Sequence, residues 1–112
     1  MDDAGMELLR LLAYLHVRYG NPRSALSYLK VIDRMDPLNP KTLRSLALSY
    51  LRSGDPEMAA KASTDAESLD DSPAGHAASQ LLMAHSKMHL GHVDQAQKAC
   101  ENFIEGRLAN SA

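Results

Sequence analysis

Three histidines near the end of the sequence have a spacing that could support metal chemistry. His85 and His89 are four residues apart, so they would share one face of a helix, and His92 follows closely. Imidazoles in such an arrangement can bind zinc. No cysteine or carboxylate stands at a matching spacing, and the glutamate of a metalloprotease helix is missing. Ordinary groove or surface histidines are therefore the favoured interpretation, and we expect neither a metal site nor a cofactor.

Cys100 is the only thiol, which excludes a disulfide within the chain and fits a reducing compartment. It falls within a predicted helix, and we expect it to be buried against the preceding helix and inert. The sequence shows no catalytic cysteine–histidine pattern, no glycine-rich phosphate loop and no nucleophile elbow. We therefore expect that the protein is not an enzyme. A cluster of acidic residues at one helix end is expected to be solvated, with a basic partner as the alternative; it comprises Asp65, Glu67, Asp70 and Asp71.

The composition favours one all-helical domain. The 112 residues include no tryptophan and only 4% aromatic residues, and leucine and alanine are abundant. A net charge of -2 does not provide the positive field that attracts nucleic acid. The first residues, Met-Asp-Asp, are unlike a secretory signal, and no run of about twenty apolar residues could span a bilayer. We expect a cytoplasmic protein without a membrane span.

An internal repeat organises these elements. Gly20, Asn21, Pro22 and Ala25 recur thirty-four residues later as Gly54, Asp55, Pro56 and Ala59. Gly91 and Ala96 mark a third copy, which is shifted by thirty-seven residues from the second. Each glycine is expected to end a helix in the left-handed conformation, and each following segment is expected to begin the next helix.

Four pairs of residues predict helix starts, because each combines an N-cap side chain with a proline that would occupy the first helical position. The pairs are Asn21-Pro22, Asn39-Pro40, Asp55-Pro56 and Ser72-Pro73. With the repeat, they predict six helices near residues 5–19, 22–35, 40–52, 56–70, 74–90 and 93–106.

The thirty-four-residue period and its small, large and turn residues resemble the tetratricopeptide repeat. This resemblance implies three helix–turn–helix hairpins, at about residues 6–39, 40–73 and 77–108, stacked as a short right-handed superhelix. The third repeat matches less well, because Gln80 and Lys87 stand where the family has bulky residues. Its end carries Phe103, Ile104 and Leu108, which a partner or a second copy would cover unless the end is simply frayed and soluble.

In the tetratricopeptide family the first helix of each hairpin lines an inner groove, and the resemblance therefore implies a set of groove residues. Such a groove has an apolar floor and basic edges, and it suits an amphipathic helix or extended segment with Asp or Glu beside its apolar anchors. The alternative is that the basic residues form the solvated faces of amphipathic helices. The implied groove residues are Arg10, Tyr14, Val17, Arg18, Lys41, Arg44, Leu48, Leu51, Arg52, Leu81, His85 and Met88.

The overall plan also resembles the small tetratricopeptide chaperones of bacterial type III secretion, above all the Y-type chaperone of the secreted X component. The resemblance rests on the apolar opening helix at residues 8–12, the hairpins at Gly20 and Gly54, and the Asp36-Pro37 turn. It implies a cytoplasmic, virulence-associated chaperone that keeps a small helical secreted or export-apparatus protein soluble. Needle-subunit and translocator chaperones are rival subclasses. A general scaffold or adaptor for a folded partner is the alternative function, and a metal-binding protein is a less favoured one.

Overall fold

Six helices make up the fold, and the computed structural model describes residues 3–111, with the side chains of residues 3–106. The predicted all-helical class and the number of helices are confirmed, with bounds that differ from the expected ones by a few residues. No helix in the described part of the chain is long and apolar enough to cross a membrane. The helices are α1 (Asp3–Tyr19), α2 (Pro22–Met35), α3 (Pro40–Arg52), α4 (Pro56–Leu69), α5 (Pro73–His89) and α6 (Val93–Ser111).

The four predicted helix starts are confirmed by their capping hydrogen bonds. The Asn21 side chain accepts from the Arg23 N–H at 2.8 Å, and Asn39 accepts from the Lys41 N–H at 3.0 Å. Asp55 and Ser72 cap α4 and α5 by accepting from N–H groups three residues on, those of Met58 and Gly75. Each cap satisfies a backbone donor that the first helical turn leaves free, and the adjacent proline has no donor to lose.

The turns within the hairpins differ from the expected set of three left-handed glycines. Gly54 has φ +83° and Gly91 has φ +79°, and each lies in a three-residue turn. Gly20 does not adopt a positive φ, so the expectation was wrong there. The α1–α2 turn has only two residues, and the Gly20 N–H continues the helical pattern by donating to the His16 carbonyl at 3.1 Å. A Cβ at this position would lie 2.6 Å from His16 Nδ1, so the His16 side chain would have to move to accommodate a larger residue.

The core lies between the first two hairpins. Each hairpin packs within itself, and α2 and α4 pack on the first helix of the next hairpin. Small buried residues allow the helices to approach closely, and Leu29, Ile32 and Leu46 supply the larger apolar volume. Burial of a side chain of that size stabilises the fold by about 1.5–3 kcal/mol. The other members of this cluster are Ala13, Ala25, Ala47 and Ala62.

The third hairpin is packed through small residues. Ala84, Ala96 and Ala99 are buried, whereas Gln80 and Lys87 border an open cleft between α5 and α6. This placement follows from the sequence, since two polar side chains stand where bulky apolar ones would fill the space. Of the expected uncovered residues, Phe103 is half-buried and Ile104 is exposed, while the Leu108 side chain lies outside the described residues.

Candidate protein-binding groove

The first helices of the three hairpins lie side by side. Helix α3 contacts both α1 and α5. Across the part of the chain that the structure describes, no close backbone contact joins α2 with α4, or α4 with α6. The first helices are therefore closer together than the second helices, and they form one side of the stack. This surface is called the inner face below.

Large apolar side chains are exposed along the inner face. Tyr14 projects from α1, Leu48 from α3, and Leu81 and Met88 from α5. All four belong to the residues expected to line the groove. Val17 and Leu51 are half-buried, so they contribute less surface. The exposed apolar atoms thus extend over all three first helices.

A cleft of about 160 Å³ separates α1 from α3. This volume is similar to that of an engineered protein cavity that holds benzene. Arg10, Tyr14, Val17 and Lys41 surround it, which brings together four of the expected groove residues. The floor is formed by the α2 core residues Leu29 and Ile32, and the remaining lining residues are Ala13, Thr42 and Ser45.

Thr42 gives the cleft a polar feature that the sequence did not indicate. Its side chain is almost fully buried, and its Oγ1 has no hydrogen-bond partner among the described residues. A buried hydroxyl without a partner is destabilising, and this oxygen is itself closed off from solvent. The cleft itself, with Leu29 and Ile32 at its floor, can accept an apolar side chain.

Two arginines of the expected basic edge are already paired with carboxylates of the chain. Arg10 Nη2 donates to Asp36 Oδ2 at 2.7 Å, and Arg44 Nη1 donates to Asp70 Oδ2 at 2.9 Å. Arg44 and Asp70 are mostly buried, with 17% and 18% of their side-chain surfaces exposed. The second pair repeats the first at a shift of thirty-four residues, which ties each first helix to the end of its own hairpin.

Asp70 is held by several hydrogen bonds at the start of α5. The Ser72 hydroxyl and the Ser72 backbone N–H, which donates at 3.0 Å, lower the pKa of Asp70, and Arg44 lowers it further, to about 2. Gly75 lies directly against this carboxylate, since a Cβ there would be 2.0 Å from Asp70 Oδ2. In the first hairpin, the Asn39 side chain and then Arg10 lower the pKa of Asp36 in the same sense.

The acidic cluster was expected to be solvated, and this expectation was wrong for two of its four members. Asp70 forms an ion pair with Arg44, and the Glu67 carboxylate lies in hydrogen-bonding contact with the His76 ring. Asp65 and Asp71 are exposed. The partners of Asp70 and Glu67 lie on α3 and α5, so the packing of the helices decides which carboxylates are engaged.

The remaining basic side chains of the inner face are exposed or make contacts other than ion pairs. Lys41 is exposed at the edge of the cleft. Arg52 Nη1 donates to the Val17 carbonyl and so links α3 to α1. The Arg18 guanidinium lies over the Tyr14 and Tyr19 rings, 5.7 Å from each centroid.

Charge is distributed unevenly between the two layers of helices. Helices α3 and α5 contain no Asp or Glu, and the two acidic residues of α1 are Asp3 and Glu7. The same three helices carry six Lys or Arg residues, although the whole chain has a net charge of -2. These helices are therefore positive relative to the rest of the protein, although Arg10 and Arg44 are paired with carboxylates and Lys87 borders the cleft between α5 and α6. The six are Arg10, Arg18, Lys41, Arg44, Arg52 and Lys87.

The residues considered for other chemistry are dispersed. His85 and His89 are exposed on α5, and no group of three potential metal ligands occurs among the described residues. Cys100 is exposed, so the expectation of a buried thiol was wrong. The α6 positions that pack inward are Ala96 and Ala99, which places Cys100 one residue beyond the buried side of the helix.

Comparisons with known proteins do not assign the chain to a family. No protein-family model matches the chain, and no curated protein matches it in sequence.

Proposed function

We propose that this protein is a tetratricopeptide-type chaperone that holds an amphipathic, acidic segment of another polypeptide on its inner face. The observation that carries the proposal is the coincidence of exposed apolar side chains with an acid-poor, basic surface on α1, α3 and α5. Either property alone is common on protein surfaces. Their combination is what an amphipathic helix with acidic flanks requires.

The apolar part of the partner would follow the exposed side chains of the three helices. An anchor residue of the partner enters the cleft between α1 and α3, and further anchors contact Leu48, Leu81 and Met88. An anchor in the cleft contacts Tyr14 and Val17 and displaces water from apolar walls, which stabilises the complex by about 25 cal/mol for each Å² of apolar surface removed from water.

The charged part of the partner would lie beside Lys41 and Arg52. Arg10 and Arg44 have carboxylate partners within the chain, so they contribute positive potential more than new ion pairs. Lys41 has an exposed side chain with no ion pair within the described residues. An acidic residue one helical turn from the apolar anchor could reach it.

The resemblance to type III secretion chaperones specifies this proposal further. In such a role, the bound segment belongs to a small helical secreted or export-apparatus protein, and binding takes place in the cytoplasm before export. The chaperone performs no catalysis, because its contribution is to cover the partner's apolar surface and keep it soluble.

Co-expression with the short helix-prone secreted proteins encoded beside its gene tests the proposal. We expect one of them to copurify with the chain in a stable complex that remains intact during gel filtration. Leu48→Asp is expected to remove this complex, because it buries a charge in the apolar contact. Arg44 is unsuitable for such a test, since its replacement would also break the ion pair with Asp70.

Met58→Asp is the matched control. Met58 lies on α4, outside the inner face, and it is 39% exposed, compared with 38% for Leu48. Both variants should keep the helical circular dichroism of the parent. If the two variants retain or lose the partner together, the inner face is not the binding surface.

A further inference from the structure

A second apolar surface lies on the side of α1 that faces away from its packed side. Leu8, Leu11, Leu15 and Tyr19 are 42–76% exposed. Their spacing of three, four and four residues places them along one side of the helix. The packed side of α1 is formed by other residues, among them Leu9 and Ala13, which join the core. The four exposed residues are called the outer α1 stripe below.

The charges beside the outer α1 stripe are arranged symmetrically about its centre. Glu7 and Arg18 are eleven residues apart, which is close to three full turns, so they lie nearly on one line about 16 Å apart. Glu7 stands at one end of the stripe and Arg18 at the other, and Leu11 lies between them on the same line. Glu7 forms no ion pair within the part of the chain that the structure describes, and Arg18 contacts only the Tyr14 and Tyr19 rings there.

We propose that the outer α1 stripe is a self-association surface, on which α1 of a second copy of this chain packs in the antiparallel direction. A twofold axis near residues 12 and 13 would place Glu7 of each copy beside Arg18 of the other and bring Leu11 against Leu15. A parallel arrangement would instead bring like charges together. The stripe together with Glu7 and Arg18 is complementary in charge to its own copy. A second copy of the chain is therefore its occupant.

Among the side chains that the structure describes up to residue 106, α6 does not offer a comparable surface for this stripe. Val93 and Ile104 are exposed on α6, but Gln97, Cys100 and Glu101 lie between them. A head-to-tail contact between α6 and the stripe would place these polar groups on leucines, at a cost in desolvation. The symmetric pairing of two α1 helices avoids that cost. The pairing shares only Arg18 with the expected groove residues, and it does not depend on the proposed chaperone function.

Sedimentation velocity on the full chain tests the pairing. Over protein concentrations from about 1 to 500 µM, the range in which a small interface dissociates, the mass should rise from 12.2 kDa toward twice that value. Leu11→Glu should weaken the dimer at least about tenfold, because each interface would bury two charges. Leu81→Glu, at an exposed leucine of the inner face, is the matched control and should leave the dissociation constant of the dimer unchanged. Circular dichroism confirms that each variant is folded.

Charge exchange separates this arrangement from nonspecific apolar contact. Glu7→Arg and Arg18→Glu should each weaken the dimer about three- to tenfold, since two ion pairs become two repulsions. The double variant should return to within about twofold of the parent. A parent that stays monomeric overturns the proposal, and so does a dimer that survives Leu11→Glu, dissociates with Leu81→Glu, or is not restored by the double exchange.

Discussion

Gly75→Ala is expected to raise the pKa of Asp70, although residue 75 is uncharged in both forms. The new Cβ would lie 2.0 Å from Asp70 Oδ2 and 2.4 Å from its Cγ. Favourable contacts between such atoms are about 3.5 Å or longer, so the carboxylate must move by more than about 1 Å. That displacement removes the hydrogen bonds from Ser72 and Arg44, which are 3.0 and 2.9 Å long. The pKa of Asp70 should therefore rise from about 2 toward its ordinary value of 3.8.

The same displacement changes how stability depends on pH. The pKa of Asp70 is lower in the folded protein than in the unfolded chain, so folding favours its ionised form. This contribution is complete above the unfolded-state pKa of 3.8, and it is lost as the pH falls through the folded-state value of about 2. Across that window the free energy of unfolding of the parent should fall with decreasing pH. Gly75→Ala should show a shallower fall, because Asp70 no longer has a lowered pKa.

Carboxyl resonances followed by NMR during an acid titration measure this effect residue by residue. Asp36 is the internal control, since its pKa is lowered in the first hairpin, far from the substitution. Gly106→Ala is the control variant, because its Cβ would meet only His76 Cδ2 at 3.7 Å, an ordinary contact. The reasoning is refuted if folded Gly75→Ala keeps the pKa of Asp70 near 2, or if Gly106→Ala shifts it equally.

Three further predictions concern stability and exposure. Gly54→Ala should lower the free energy of unfolding, measured in urea, by about 1–2 kcal/mol. The cause would be the φ of +83° alone, since no atom lies within 4 Å of the new Cβ, and an unchanged stability would contradict the left-handed turn. Ile32→Ala should cost about 2–5 kcal/mol, and Ile32→Val about 0.5–1.5 kcal/mol, so equal costs would be inconsistent with a tightly packed core residue. Cys100 should react with Ellman's reagent in the folded protein nearly as fast as in the urea-unfolded chain, and strong protection would mean that α6 is rotated from the described position.

The helices could be predicted because their signals are local. Each Asn-Pro, Asp-Pro or Ser-Pro pair specifies a cap and a first helical residue without reference to the rest of the fold. The thirty-four-residue shift then orders the helices into hairpins. Gly20 was interpreted wrongly because its N–H continues the helical hydrogen-bond pattern to the His16 carbonyl, which the repeat alone does not indicate.

The contacts between helices were harder to predict, although some left a signal. Arg10 with Asp36 and Arg44 with Asp70 are both twenty-six residues apart and shifted by one repeat, so the two ion pairs could have been found in the sequence. Cys100 was misplaced because the thirty-seven-residue shift leaves the register of α6 open. The unsatisfied hydroxyl of Thr42 depends on side-chain geometry in the cleft, for which the sequence has no signal.

The most direct test of the proposed binding surface is methyl NMR of the chain with and without its copurified partner. Binding on the inner face should shift the methyl resonances of Val17, Leu48, Leu81 and Met88. The resonance of Met58, which lies on α4, should stay unchanged. Shifts confined to Met58 and other methyl groups of α2, α4 and α6 would contradict the account, because the partner would then bind the opposite side of the stack.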